Sequence, residues 1–331
     1  MHAKAADRLL HYYSKAARDL PWRAPPGAPR QDPYRVWLSE VMLQQTTVAT
    51  VTPRYRRFLE RWPTVEALAA ASDEDILGEW AGLGYYARAR NLIACARAVA
   101  ARGGFPASEA ELRQLPGLGA YTAAAVAAIA FGEDAVPIDT NVERVVARVF
   151  GLADRGAVAE AARDWWPTGR AGDFAQACMD LGATICRPRQ PLCDRCPLQP
   201  DCRAAALGRP EDIPARKAKK DRPHRFGLAW WIRRDDALWL TRRPATGLLG
   251  GMAALPGPEW SEARPAANPL AVHRHGFTHF TLDLLVVPRG EPEGDGWWQP
   301  LATLAEAGLP TLYRRAVEAA LAAEREPRLA A

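Results

Sequence analysis

The chain has 331 residues, 48% of them hydrophobic, and its 43 Lys and Arg against 38 Asp and Glu give a net charge of +5. Such a length usually exceeds what one hydrophobic core serves, so we expect two domains. No stretch approaches the roughly 20 apolar residues of a membrane span, and the first residues lack the apolar run of a signal peptide. We therefore expect a protein of the reducing cytoplasm, without membrane contact. The modest basic excess is compatible with a nucleic-acid partner.

The first part of the chain, residues 1–208, has the pattern of helices joined by short loops with Gly and Pro. Asp32, directly before a proline, predicts the N-cap of a helix that runs to about Gln45. Residues 72–80 predict another helix, and the almost wholly apolar residues 122–130 predict a buried one. We therefore predict a mainly helical domain.

Residues 209–224 are rich in Pro, Lys and Arg, which predicts a basic linker. Beyond it, residues 225–331 change to strand patterns. The predicted elements are the two strands of a hairpin, a further strand and a closing helix, at 226–232, 237–241, 280–287 and 312–323. We therefore predict an α+β second domain.

Four of the six cysteines lie close together in the pattern Cys-x6-Cys-x2-Cys-x5-Cys, at Cys186, Cys193, Cys196 and Cys202. Such a cluster indicates a metal centre. Zinc sites usually come as two tight CxxC pairs, whereas wider, uneven loops suit an iron–sulfur cubane, so a zinc knuckle stays the alternative. The pattern resembles the [4Fe–4S] loop of the endonuclease III/MutY family of DNA glycosylases. Cys95 and Cys178 fit small buried hydrophobes instead.

Two glycines, Gly117 and Gly119, lie in the run LPGLGAYTA before the buried helix. They let the backbone turn tightly and leave the N–H groups of the next helix free, so the turn can hold a DNA phosphate. Further on, the run TNVE predicts a capping box with Thr140 as the N-cap, which would leave Asp139 free and ionised beside a positive helix end. A plain helix connection and a structural Asp are the alternatives.

The segment VWLSEVMLQQT places a carboxyl group on an apolar stripe. Val36, Glu40 and Leu43 are spaced i, i+4, i+7, so we expect Glu40 to be buried and its pKa to be raised. A carboxyl group with a raised pKa beside an ionised carboxylate is a recurrent pairing of a general acid with a group that stabilises positive charge. The spacing alone leaves open a Glu that merely makes a hydrogen bond in the core.

These segments, together with GLGYYARARN, resemble the adenine DNA glycosylases of the MutY type, in the helix-hairpin-helix/GPD superfamily. The resemblance covers residues 8–207 and returns in the C-terminal half. It implies a base excision repair enzyme with a [4Fe–4S] cluster on the four cysteines. Its substrate would be double-stranded DNA with A:8-oxoG or A:G mispairs, and it would act as a monomer.

The resemblance also implies catalytic roles. Glu40 would protonate the adenine and then help to activate water, while Asp139 would stabilise the oxocarbenium-like sugar. Tyr121 and Asn141 would position these two carboxyl groups. Lyase members of the superfamily have a lysine where this chain has Tyr121, which implies a monofunctional glycosylase.

Further residues match positions that contact DNA in the family. Gln176 matches the contact to the flipped adenine, and Arg18 and Arg23 are weaker candidates for the same pocket. Gln45 and Tyr85 match residues that wedge into the duplex when the target base leaves the stack. For Tyr85, plain aromatic packing is the alternative.

The run GLLGGMAALPGPE resembles the Nudix-like domain that ends proteins of this family. The segment around it offers only Glu259 and Glu262, not the run of glutamates that holds Mg²⁺ in Nudix hydrolases, so we expect recognition rather than hydrolysis. The family's Phe-Ser-His loop, which contacts 8-oxoguanine, is Phe277, Thr278 and His279 here. Threonine keeps the hydroxyl but stiffens the side chain, and an ordinary hairpin loop is the alternative.

Two other functions fit parts of the sequence. An endonuclease III-like glycosylase/lyase would share the cysteine loop, but Tyr121, Glu40 and the C-terminal domain argue against it. A non-catalytic iron–sulfur DNA-binding protein would need neither Glu40 nor Asp139.

Overall fold

The computed structural model of the chain describes residues 2–215, 221–244 and 247–325. Its contacts divide them into two compact units. Unit 1 comprises the residues up to 72 and those from 90 to 215, and unit 2 comprises residues 73–89 with those from 221 onward. The predicted domain limits and the linker at 209–224 stay predictions, since residues 216–220 lie outside the described residues.

The chain before residue 216 is mainly helical, as its sequence predicts. Its helices are α1 (His2–Ala16), α2 (Pro33–Leu43), α3 (Val48–Arg61), α4 (Val65–Ala70), α5 (Asp73–Trp80), α6 (Tyr86–Arg102), α7 (Glu109–Leu112), α8 (Ala120–Val126), α9 (Thr140–Phe150), α10 (Arg155–Trp165), α11 (Ala171–Thr184) and α12 (Arg203–Ala206). Within the described ranges, no helix is long and apolar enough to cross a bilayer.

Helix α2 begins where the sequence predicts it. The Asp32 carboxylate accepts a hydrogen bond of 3.2 Å from the N–H of Arg35, and a proline follows as the first helical residue. The helix ends at Leu43, slightly before its predicted end, and Gln45 adopts a left-handed φ of 56°. Most of α2 is buried, which places Glu40 in the interior.

The apolar helix predicted over residues 122–130 consists of two parts. Helix α8 is followed directly by a turn of π-helix at Ala127–Phe131. This turn lies close to α11, because a Cβ at Gly172 would stand only 2.5 Å from the carbonyl oxygen of Ala128. Turns of π-helix are frequent at functional sites, and this one lines two cavities that are described below.

One hydrophobic core cluster of unit 1 is built mainly from α1, α9, α10 and α11. Val145 and Val146 of α9 and Leu9 of α1 are almost completely buried in it. The rings of Trp165 and Phe174 meet edge to face, with centroids 4.9 Å apart. This packing fixes α9, which begins at the cap Asp139, and α11, which carries Gln176.

Unit 2 contains the α+β fold that the sequence predicts, with one mixed and one antiparallel sheet. Its elements are β1 (His224–Trp231), β2 (Arg233–Arg234), β3 (Ala237–Arg242), β4 (Ala253–Ala254), β5 (Ala271–Gly276), β6 (Thr281–Pro288), β7 (Trp297–Pro300) and the closing helix α13 (Thr311–Arg325). One sheet has the order β1-β6-β5, and in the other β3 pairs with β2, β4 and β7. Helix α13 packs on β5 and β6.

The two strands predicted over residues 226–232 and 237–241 form as β1 and β3, but their predicted pairing as a hairpin is wrong. β1 pairs in parallel with β6, with Leu228 opposite Leu285, and so belongs to the other sheet. The hairpin that forms is β2–β3, where Asp235 adopts the positive φ of 49° that tight hairpin turns favour. Local sequence identifies the turn, but a strand's partner from a distant part of the chain depends on the burial of both strands.

Candidate active site

A cavity of about 650 Å³ opens in unit 1, and we call it the Glu40 cavity. Its size is within the range of small-molecule sites. Most of the predicted catalytic and base-contacting residues line it, namely Arg18, Arg23, Glu40, Gln45, Tyr121, Asp139, Asn141 and Gln176. The fold therefore gathers residues that lie far apart in the sequence into one concave site.

Glu40 is buried in this cavity, as its place on the apolar stripe predicts, with 7% of its surface exposed. Burial raises the pKa of Glu40 from 4.5 to about 7. The Tyr121 hydroxyl donates a hydrogen bond of 2.8 Å to Oε2 of Glu40, and this bond and the charge of Arg23 oppose the rise in pKa. The desolvation of the carboxylate outweighs both, so the proton is retained up to neutral pH.

Asp139 is itself the N-cap of α9, so the predicted cap at Thr140 is wrong. Its Oδ1 accepts hydrogen bonds from the N–H groups of Asn141 and Val142, at 2.8 and 2.7 Å. The predicted capping box fails as well, since the Glu143 carboxylate pairs with Arg155 instead. A carboxylate is as good a cap as a hydroxyl, and here it takes two free N–H groups at once.

The side chain of Asn141 completes the hold on Asp139. Its Nδ2 donates a hydrogen bond of 2.8 Å to Oδ2 of Asp139, so both carboxylate oxygens are engaged. The Asp139 carboxylate therefore has a fixed orientation at the edge of the Glu40 cavity. The predicted role of Asn141 in positioning Asp139 would use this contact, and the role itself stays a prediction.

Asn141 is held in turn by a buried arginine, Arg144, which was not predicted from the sequence. The Arg144 Nη2 donates to Oδ1 of Asn141 at 2.9 Å and to the carbonyl oxygen of Gly182 at 2.7 Å. Its Nε donates to the carbonyl oxygen of Cys186 at 2.7 Å. A cation among the valines of the apolar face of α9 is the signal that could have indicated this role.

Gly182 lets α11 approach the start of α9 closely. A Cβ at this glycine would stand 2.6 Å from the Cβ of Asn141 and 3.1 Å from its Cα. Real Cβ atoms essentially never come so near to another atom. The absence of a side chain at Gly182 is therefore a condition for the position of Asn141.

Among the predicted base-contacting residues, Gln176 makes one long hydrogen bond, whereas Arg18 and Arg23 form short ion pairs. Gln176 is buried at the cavity wall, and its Nε2 donates a long bond of 3.3 Å to the carbonyl oxygen of Gly172. Arg18 and Arg23 both pair with the buried Asp180, at 2.5 and 2.7 Å. Asp180 was not predicted, although its place four residues after Gln176 puts both side chains on one face of α11.

The two predicted wedge residues share an unusual backbone. Gln45 has a φ of 56° and Tyr85 a φ of 49°, a left-handed conformation that is uncommon outside glycine. Backbone strain of this kind clusters at functional sites. Tyr85 is 47% exposed, so its ring is not buried as plain packing would require.

The glycine turn before α8 agrees only in part with its prediction. Gly117 has a φ of 73°, and a Cβ there would collide with Asn91, so this position needs glycine. Gly119 has an ordinary φ of −78° and open space around it. Gly119 is the N-cap of α8 and makes no side-chain cap bond, so phosphate binding at this turn stays a prediction.

The four clustered cysteines line one pocket, next to Arg148. Arg148 Nη1 donates to Sγ of Cys186, and Sγ of Cys202 contacts the carbonyl oxygen of Arg148, both at 3.3 Å. Within the described part of the chain, no group of three or more His, Cys, Asp or Glu side chains is set to hold a single metal ion. Cys95 and Cys178 are buried elsewhere, as predicted.

The predicted recognition loop in unit 2 is a tight turn. The N–H of Phe277 donates to the carbonyl oxygen of Phe280 at 2.9 Å, and the two rings pack together. Thr278 and His279 are exposed at the tip. The hydroxyls of Thr278 and Tyr85, both in unit 2, form a hydrogen bond of 3.0 Å.

Comparisons with known families fit this architecture. Residues 38–168 match the HhH-GPD superfamily of base excision DNA repair proteins, and residues 228–319 match the NUDIX domain. The fold and the site thus define a helix-hairpin-helix/GPD repair protein with a NUDIX domain. A solved thermostable thymine-DNA glycosylase aligns with 62% of this chain and 97% of its own, at 30% identity and a TM-score of 0.56.

Sequence relatives identify the family within this class of repair proteins. The adenine DNA glycosylase of Mycolicibacterium smegmatis is 42% identical over 64% of this chain and 73% of its own length. The human adenine DNA glycosylase is 45% identical over 59% of this chain and 38% of its own length, so the match spans less than half of that protein. The chain belongs to the adenine DNA glycosylase family.

Replacing Gly182 with alanine is expected to destabilise the fold by about 1–3 kcal/mol, because the added methyl group overlaps Asn141. The matched control is Gly78→Ala, at an exposed helical glycine with open space around it, which is expected to leave stability unchanged or to raise it by up to about 1 kcal/mol. Denaturant unfolding followed by circular dichroism measures both. Equal midpoints for the two variants would contradict the close packing at Gly182.

Proposed function

We propose that this protein is a cytoplasmic, monomeric adenine DNA glycosylase. It hydrolyses the N-glycosidic bond of adenine opposite 8-oxoguanine or guanine in double-stranded DNA. The observation that carries the proposal is the pairing in one cavity of a buried Glu40, with a pKa of about 7, and an Asp139 carboxylate held by three donors. Membership of the adenine DNA glycosylase family supports it.

Glu40 acts as the general acid in this mechanism. With a pKa of about 7, about half of its carboxyl groups carry a proton at neutral pH. Because the Tyr121 hydroxyl donates to Oε2, the proton of the acid sits on Oε1. Transfer of this proton to a ring nitrogen makes adenine a neutral leaving group, and the electron pair of the broken C–N bond goes to the base.

Asp139 stabilises the sugar that remains. The loss of the base leaves positive charge on the ring, and a fixed carboxylate nearby lowers the energy of that state without reorganising. Water then adds to the sugar carbon and gives its proton to the Glu40 carboxylate, which restores the acid. Because Tyr121 stands where lyases have an amine, no Schiff base forms and the product is an intact abasic strand.

The target adenine must leave the duplex to reach Glu40. Gln45 and Tyr85 are proposed to fill the gap in the stack, and their left-handed backbones project them from the ends of helices. Gln176 at the cavity wall has an amide that can meet the polar edge of the base. Arg23, paired with Asp180, fixes this wall.

The donor set of the cysteine pocket fits a [4Fe–4S] cluster. Cys186, Cys193, Cys196 and Cys202 supply four sulfur ligands from one loop, and a bound cluster would supply a rigid anchor for that loop. The arginines that flank these cysteines then meet DNA phosphates in fixed positions.

The NUDIX domain is proposed to recognise 8-oxoguanine opposite the adenine. Adenine is a normal base, so the information that it is mispaired lies in its partner. The exposed hydroxyl of Thr278 and the imidazole of His279 are suited to read the altered C8 and N7 edge of that base. Packing of Phe277 against Phe280 holds the loop.

The decisive test of the function is incubation with duplexes that carry A:8-oxoG, A:G, A:T or thymine glycol. We expect strand breaks at A:8-oxoG and A:G, and only after alkali treatment. Breaks at thymine glycol, or breaks without alkali, would favour an endonuclease III-like lyase and overturn the proposal.

Glu40→Gln is expected to slow single-turnover excision about 10²–10⁴-fold, since the amide cannot donate the proton, while binding of the mispaired duplex is retained. Excision by the native protein should fall about tenfold per pH unit above about 7, because the protonated form of Glu40 is the active one. The control is Glu160→Gln, at an exposed glutamate. A native rate in Glu40→Gln would remove Glu40 from the mechanism.

The purified protein is expected to contain about four irons per chain and to absorb broadly near the boundary of visible and ultraviolet light. Cys196→Ala should lose iron, whereas Cys95→Ala, outside the loop, should keep it. Metal analysis of anaerobically purified protein measures both. One zinc per chain without iron would establish the zinc knuckle instead.

The double change Thr278→Ala and His279→Ala is expected to reduce selection of A:8-oxoG over A:G by about 1–3 kcal/mol, because hydrogen bonds to the lesion are lost. Excision of adenine itself should persist. Glu291→Ala, at an exposed position of unit 2 outside this loop, is the control and should keep the native ratio. An unchanged ratio of excision from the two duplexes in the double variant would show that another part of the protein recognises 8-oxoguanine.

A further inference from the structure

A second polar cavity lies beside the Glu40 cavity in unit 1, and we call it the Arg30 pocket. Its volume is about 310 Å³, at the lower end of small-molecule sites. The loop that carries Arg30 and Gln31, the π-helical turn and the start of α11 enclose it. None of the mechanism described above uses this pocket.

The two cavities share a wall. Ile129 of the π-helical turn and Gln176 of α11 line both of them. The side chain of Gln176 makes one long bond, 3.3 Å to the carbonyl oxygen of Gly172 on its own helix. A change of rotamer at this one side chain would join the two cavities.

The lining of the Arg30 pocket suits a purine base. The Arg30 guanidinium lies over Gly132 and supplies hydrogen-bond donors. Asp173, which pairs with Arg170 at 2.7 Å, offers a carboxylate to an amino group, and the amide of Gln31 can donate and accept. Adenine presents one amino donor and several ring-nitrogen acceptors, which match this mixture.

We propose that the Arg30 pocket receives the freed adenine and is its exit route while abasic DNA still covers the Glu40 cavity. This inference rests on the proposed glycosylase function. A flipped nucleotide closes the cavity on the side where it entered, so a detached base needs another way out. Passage past Gln176 also separates the base from the reactive sugar carbon.

Plugging the pocket tests the proposal. Ala28→Trp places an indole in the loop that lines it, away from the Glu40 cavity, and the control is Ala101→Trp at an exposed position of α6. The substrate is an A:8-oxoG duplex with radiolabelled adenine. Under single-turnover conditions, alkali cleavage measures excision, and rapid gel filtration measures labelled adenine that stays with the protein–DNA complex.

We expect native excision rates in both variants, with loss of adenine from the complex slowed about tenfold or more only in Ala28→Trp. Equal rates of adenine loss in all three proteins would overturn the proposal, as would native protein that keeps adenine until the DNA dissociates. Pro29→Trp, also in the exposed loop, serves as the plug if Ala28→Trp does not fold. Failure of the glycosylase function itself is distinct, because the native protein would then release no adenine.

Discussion

The buried guanidinium of Arg144 connects three segments on which the active site depends. It binds the Asn141 side chain at the start of α9, the Gly182 carbonyl near the end of α11, and the Cys186 carbonyl at the first clustered cysteine. A cation in the interior is tolerated only when its donors are satisfied, so each of these acceptors must be in place together. The position of the Asp139 carboxylate therefore follows from packing well outside the cavity.

The cavity itself contains two carboxyl groups in different surroundings. Asp139 accepts hydrogen bonds from three donors, whereas Glu40 is desolvated by burial and accepts a bond from the Tyr121 hydroxyl. The charge of Arg23, which is paired with Asp180, lowers the pKa of Glu40, but desolvation by burial outweighs it. The cavity thus holds one carboxyl group with a raised pKa and one held by donors, which is the arrangement that the proposed acid and stabiliser need.

Much of this site follows from the sequence, because local patterns determine it. The i, i+4, i+7 spacing predicts the burial of Glu40, and Asp32 predicts the start of its helix. The sequence places the cap of α9 one residue late, since Asp139 and Thr140 are adjacent and both belong to the residue types favoured as caps. The partner of β1, the Asp180 ion pair and the contact at Gly182 depend on distant segments that no local pattern specifies.

The bond between the hydroxyls of Tyr85 and Thr278 has a consequence for the search for damage. Each hydroxyl already has a partner before DNA arrives, so contact with a duplex exchanges one hydrogen bond for another rather than adding a new one. If the NUDIX domain reads 8-oxoguanine as proposed, ordinary base pairs would gain little by engaging either group. The lesion would then have to offer these hydroxyls a better hydrogen-bond partner than they give each other.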